Sequence, residues 1–339
     1  MITRLPIHFG TSALLSMAAS LPLHAESATS TPCGYIQTDL YAKSTCYLGL
    51  GVQPEALMQH TLKADNVTRS GNKVTITDFD VNFNDLMDSQ FAYVLEFIFK
   101  DEIVAVPVNR NAWKTPSTCW TEHSLTVDDK SLSELVRNTT PDFYILRKAR
   151  TVNDVLGTDN TFGLKEGTSG TADSVAVFET PTTKLTITFS NTQGGWVRRG
   201  SREDMGVMPV FNHEPLTIIR KDGANIRPFI IGEVSSRNQK ILLSQTSTLL
   251  HTGLPMPQTL QDTALKDALP NHGSDIVYLP IGKKNEQVPC IYNNTWQRRD
   301  TGEDVSNVPF DGAVSILSAS KVPSHVTVQS NIPSSTPQS

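Results

Sequence analysis

Residues 196–209 read WVRRGSREDMGVMP, and residues 296–309 read WQRRDTGEDVSNVP. Trp196/Trp296, Arg198/Arg298, Arg199/Arg299, Glu203/Glu303, Asp204/Asp304 and Pro209/Pro309 coincide at a constant offset of 100. Self-similarity at a fixed period marks a duplicated unit, and ordered identities that include a Trp are improbable by chance. An apolar, strand-like run follows each block, at 216–219 and 314–317. Upstream, Ala172-Asp173-Ser174-Val175 matches Ser274-Asp275-Ile276-Val277, and Thr151-x-x-Asp154 matches Thr259-x-x-Asp262. The Thr-x-x-Asp spacing can cap one turn of helix. One unit therefore reads as capped turn, glycine-bearing loop, Asp-led strand, hairpin, Trp-x-Arg-Arg strand, acidic loop and closing strand. Residues 227–234 and 240–243 are expected to form a hairpin that closes the first unit.

The rest of the chain is also written for strands. Residues 74–83 read VTITDFDVNF and alternate apolar with polar after a Gly/Asn turn at 69–72, which predicts a half-buried strand. Residues 91–99 and 103–108 are further strand candidates, joined at Lys100-Asp101. Ser131 and Glu134 have capping-box spacing and predict a short helix over 131–136. The expected fold is mainly β: an N-terminal β domain (33–140), then two homologous small β units with short capped helices (141–245 and 246–322). The Ser/Pro-rich end, 323–339, is expected to be a disordered tail.

The first residues have the three parts of a secretory signal peptide. Arg4 supplies the positive charge, residues 9–23 are uncharged and largely apolar, and Ala25 offers a small residue at the cut. The signal peptide is assigned to 1–25 and a polar linker to 26–32. Its apolar run is shorter than the roughly 20 residues that span a bilayer. The whole chain has 339 residues and a net charge of −5, and removing Arg4 makes it −6. Mild acidity with no basic stripe argues against a nucleic-acid partner, and no later segment is apolar enough to span a membrane. The expected location is exported: periplasm, outer surface or exterior.

Cys33, Cys46, Cys119 and Cys290 all follow the expected cut. An even count in an oxidising compartment suggests disulfides, with three possible connectivities. Cys33–Cys46 is the expected bridge from proximity. Cys119–Cys290 would then tie distant parts together, since at the offset of 100 Ser190 stands where Cys290 does, so the unit itself does not require the cysteine. No CxxC or HxxxH spacing supports zinc, and no cofactor is expected. Asp78-x-Asp80-x-Asn82 looks like a calcium loop, but Phe83 and Ser89 stand where that loop needs Gly and Glu. No metal is expected. The stretch 167–171, GTSGT, lacks the final Gly of a nucleophile elbow.

The chain resembles a group of uncharacterised exported proteins found as multiple paralogues in verrucomicrobial bacteria. The likeness is carried by Cys33-Gly34-Tyr35, the FYILR run at 143–147, residues 151–156, the GTSGTADSV stretch from Gly167, and Trp196-x-Arg-Arg with its closing strand. The resemblance implies export and a β-rich fold. It brings no activity, cofactor or catalytic residue.

No catalytic constellation emerges. Trp196, Arg198, Arg199, Trp296, Arg298 and Arg299 form the sharpest candidate site. As a ligand platform, Trp and Arg together could stack on a sugar and hold an anionic glycan. As a structural device, each Trp would anchor a core, with an Arg on its face or on the acidic loop. The structural alternative is favoured, because a duplicated block usually reflects a folding constraint. The expected function is a non-catalytic envelope or extracellular protein with a structural, adhesive or matrix role. Its partners would be glycans or other envelope and surface proteins. A carbohydrate-binding protein is the alternative, and a hydrolase comes third.

Overall fold

Apolar residues fill both faces of the run 93–99, and this decides the middle of the fold. The structure, a computed structural model, describes residues 33–329 except 101, 169, 182, 191, 222, 236, 244–246, 252–253, 255–256, 270, 282–285, 311–312 and 319–323. The expected signal peptide and linker, and the tail from 330, lie outside the described residues.

In chain order, strands β1 (Cys33–Gln37) and β2 (Thr45–Leu48) come first. A middle segment adds β3 (Ala56–Thr61), β4 (Val67–Ser70), β5 (Lys73–Thr77), helix α1 (Phe83–Leu86), β6 (Tyr93–Phe99) and β7 (Glu102–Val108). It closes with β8 (Ser124–Asp128), α2 (Lys130–Asn138) and β9 (Phe143–Lys148). Next are β10 (Arg150–Thr151), α3 (Val152–Leu156), β11 (Ser174–Phe178), β12 (Lys184–Ser190) and β13 (Gly195–Arg198). They are followed by β14 (Pro209–Val210), β15 (Leu216–Ile219) and β16 (Phe229–Glu233). The last segment holds β17 (Asn238–Leu243), β18 (Ser247–His251), α4 (Leu265–Ala268), β19 (Ile276–Pro280) and β20 (Gln287–Asn293). It ends with β21 (Thr295–Arg298), β22 (Ala313–Leu317) and β23 (Ser324–Val328). The fold is mainly β.

Among the described residues the three largest sheets carry the three largest hydrophobic clusters. The first has the order β13-β12-β11-β15-β2, and the third has the order β21-β20-β19-β22-β18. A six-stranded sheet, β23-β17-β7-β6-β9-β3, draws four strands from the segment between β2 and β11 and adds β17 and β23, with the small sheet β4-β5-β8 packed onto the core of those four. Strand β6 sits inside the six-stranded sheet and is buried along its whole length. Its one charge, Glu96, is met by Arg147 Nε at 2.9 Å on the neighbouring strand β9. Burial raises the Glu96 pKa and Arg147 opposes it. The same guanidinium also pairs with Glu233 of β16, so one cation fastens the first region to the middle one.

Strand pairing crosses the expected domain boundaries. β2 belongs to the first five-stranded sheet, where Cys46 faces Ile218. β1 pairs with β16 and packs Ile36 and Ile230 against the first core. The middle region thus runs from β3 to β9, inserted between β2 and α3, and β9 belongs to it rather than to a unit starting at 141. Residues 227–234 and 240–243 do give strands, β16 and β17, but not a hairpin with each other. β17 pairs with β23 and, in parallel, with β7. The tail expected to be disordered from 323 contains β23, whose Val326 and Val328 are fully buried in the third core. β2 was missed because its four residues give too short a run to show alternation.

Two local expectations change. The run 74–83 is a strand only as far as Thr77. Asp78 turns inward, Phe79 is 77% exposed, and Asn82 caps α1 by accepting from Asn84 N. Helix α2 is capped by Asp129, whose side chain accepts from Leu132 N, not by Ser131. Among the described residues no helix is long and apolar enough to cross a membrane.

Candidate functional site

Both tryptophans of the platform candidate are inside. Trp196 is 1% and Trp296 3% exposed. The cause is register: Trp196 faces the buried Phe189 on β12, and Trp296 faces the half-buried Tyr292 on β20. The rings meet edge to face at 5.1 and 5.4 Å, the favoured geometry for aromatic pairs. Trp196 Nε1 also donates to the Gly157 carbonyl at 2.7 Å. That carbonyl is delivered by α3, whose Thr151/Asp154 capping box sets the helix start and whose C-cap Gly157 takes φ 82°, a left-handed conformation suited to glycine. Leu260–Asp262 has the same box from Thr259 and Asp262.

The arginines serve their own loops. Arg198 N donates to Glu203 O, and Arg298 N donates to Glu303 O. Their guanidiniums reach Glu203 at 3.2 Å and Asp300 at 2.9 Å. Asp204 and Asp304 each accept a loop amide at 2.8 Å, from Gly206 and Ser306. Arg199 N and Arg299 N bond back to the hairpin strand, on Thr186 O and Pro289 O. The block is a strand-to-loop reversal, and its indoles are out of reach of a sugar.

The four cysteines sit in different parts of the fold. No disulfide joins the four. Cys46 is buried in the first core, Cys119 packs against the middle core and Cys290 is buried in the third. Cys290 faces Val277 and Arg298, while the residue facing Val175 and Arg198 is Ile187, not Ser190. The thiol at 290 therefore occupies an apolar core position. Burial pushes its pKa up to about 11 and raises that of Cys119 as well.

His60, Asp78 and Asp80 bring three potential metal-ligand atoms within 4.8 Å of one another. Asp78 is already engaged: Oδ2 accepts from Tyr144 at 2.9 Å and meets His60 Nδ1 at 2.5 Å, and Oδ1 accepts from Asp80 N. These bonds account for the inward turn of the chain after β5.

One concave feature was not visible in the sequence. A cavity of about 590 Å³ lies between the outer face of the first sheet and strands β7, β17, β18 and β22. Tyr47, Thr217 and Ala176 are register neighbours on β2, β15 and β11 and make its floor. Ala105, Pro107 and Leu249 stand among the opposing walls. At one end Arg110 makes a bidentate pair with Glu214, at 2.5 and 2.8 Å, and lies 4.3 Å over the Phe211 ring. Burial lowers the pKa of the adjacent His213. Lys184 and Pro181, both exposed, mark the mouth. No sequence motif announces these residues, because strands β2, β7, β11, β12, β15, β17, β18 and β22 and the loops beside them supply them. No protein-family model, curated protein or solved structure matches the chain.

Proposed function

We propose that the chain is an exported, non-catalytic protein of the cell envelope or exterior, in which two copies of one β unit hold a third β region between them. The observation that carries this is the internal use of both Trp/Arg blocks. Each indole is buried against an aromatic on the adjacent strand, and each first arginine bonds its own acidic loop. The equivalence of the units extends along the strand orders β2, β11–β13, β15 and β18, β19–β22. It includes the flanking ribbons β1-β16 and β17-β23.

Buried ion pairs lock the segments together. Arg220 donates to Asp173 at 2.7 Å and to the carbonyls of Leu40 and Ala224. Truncating one partner of such a pair would leave a buried charge and cost several kcal/mol, roughly 3–5. A rigid scaffold suits a structural, adhesive or matrix role among surface proteins or glycans. Export is supported by the Arg4, apolar-run and Ala25 pattern and by the resemblance to exported verrucomicrobial proteins. With the indoles buried, a glycan platform on the Trp strands has no support.

Fractionation of the native source, with mass spectrometry of the recovered N-terminus, tests this. The protein should appear in the envelope or medium and begin at Glu26. A cytosolic protein with an intact Met1 peptide would overturn it.

A further inference from the structure

We infer that the cavity between the first sheet and strands β7, β17, β18 and β22 is a binding site for a small organic carboxylate with an apolar body. The inference is independent of where the protein resides.

Size is the first support. At about 590 Å³ the space lies within the roughly 300–1,000 Å³ of small-molecule sites. It exists because small side chains stand where two sheet faces meet. Ala176 and Thr217 on the floor and Ala105 and Ser315 on the walls leave unfilled the gap that larger residues would close. Pro107, Phe178 and Leu249 give the walls an apolar surface.

Charge selects the class. Most ionised groups around the space are already matched. Arg110 is held by both oxygens of Glu214, Lys240 meets Glu102 at 2.6 Å, and Asp129 caps α2 through Leu132 N. Among the cations Lys184 is the exception. Its Nζ donates to Thr217 Oγ1 at 3.2 Å and stands 4.4 Å over the Phe178 ring, and among the described residues no carboxylate lies within ion-pair distance of it. Partial desolvation at the cavity mouth lowers its pKa to about 8 against the opposing pull of Glu214, a penalty that an incoming anion relieves. One unmatched ammonium beside the Thr217 hydroxyl fits one negative charge. A phosphate dianion would call for a second free cation, and Arg110 is engaged. An amine would need a free carboxylate, and Glu214 and Asp129 are both engaged.

The test is titration calorimetry on the full chain with benzoate, benzyl alcohol, benzylamine and phenyl phosphate. Benzoate should bind at least ten times more tightly than the other three. Lys184→Met should remove that preference, and Lys184→Arg should keep it. Lys184 is exposed, so both variants should melt like the parent and report on binding alone. Ala176→Phe, which fills the floor, should abolish benzoate binding. Binding of none of the four at millimolar concentration would overturn the inference. So would equal binding of the alcohol, tighter binding of the amine or phosphate, or an unchanged benzoate affinity in Lys184→Met.

Discussion

The imidazole of His251 lies on the backbone of Gly49: a Cβ at position 49 would stand 1.6 Å from His251 Cδ2. Gly49 directly follows β2, the last strand of the first sheet, and His251 ends β18, the last strand of the third. The contact therefore joins the adjoining edges of the two five-stranded sheets. Only a residue without a side chain permits it.

Gly49→Ala should accordingly destabilise the protein. Overpacking of this kind typically costs about 1–3 kcal/mol. His251→Ala introduced into the same variant should recover part of the loss, because the clash disappears with the ring. Chemical denaturation of the two singles and the double gives the coupling. Strict additivity would show that the two residues do not touch in solution.

His251 also sets an acid limit. It is 4% exposed, and burial lowers its pKa to about 4, against about 6.5 in an unfolded chain. The folded state holds the ring neutral, so the unfolded state takes up its proton first as pH falls. Stability from this group is complete above about pH 6.5 and is lost progressively down to about pH 4. A shift of this size corresponds to ~3 kcal/mol. Burial lowers the His213 pKa in the same direction and adds to the slope. Unfolding free energies measured across that range should fall with acid, and His251→Leu should flatten the fall. An unchanged slope would exclude His251 as its source.

Trp196→Ala and Trp296→Ala should each cost roughly 3–5 kcal/mol, the usual range for truncating a buried aromatic. Arg198→Ala should matter much less, since the Arg198–Glu203 pair is about two-fifths exposed and such pairs are weak. Thermal and chemical unfolding of the three variants checks the ranking. Near-parent stability of both Trp variants would contradict their place as core anchors.

The thiols should differ sharply in reactivity. Cys33 is exposed, whereas Cys46 and Cys290 are buried. Brief alkylation of the native protein, followed by peptide mapping, should label Cys33 first and leave Cys46 and Cys290 until denaturant is added. Recovery of a Cys33–Cys46 or Cys119–Cys290 cross-linked peptide would overturn this arrangement.

Long apolar runs and fixed-spacing motifs were legible in the sequence, and the connections between segments were not. Tyr93–Phe99 and Glu102–Val108 could be read because each run is long and its turn is polar. The Trp blocks could be read because the same residues recur in them at one fixed offset. Position 290 was misassigned because the constant offset ends at the hairpin. Phe189 and Trp196 are seven positions apart, and Tyr292 and Trp296 are four. The insertion between β2 and α3 left no trace, since a short strand such as Thr45–Leu48 carries no pattern to match with Ser247–His251. The cavity was illegible for a related reason. Tyr47, Lys184 and Leu249 meet only through the pairing of distant strands.

The insertion also imposes an order of assembly. The third sheet draws all its strands from one continuous stretch, β18 to β22, and can close as soon as that stretch is available. The first sheet cannot. Its edge strand β2 leaves the ribosome long before its partner β15, and the whole middle region is made in between. Contacts so remote in sequence form slowly. Until Leu48 meets Leu216, an apolar edge stays unpaired and open to other chains. The first sheet is thus the late-closing and aggregation-sensitive element, even though its beginning is synthesised first.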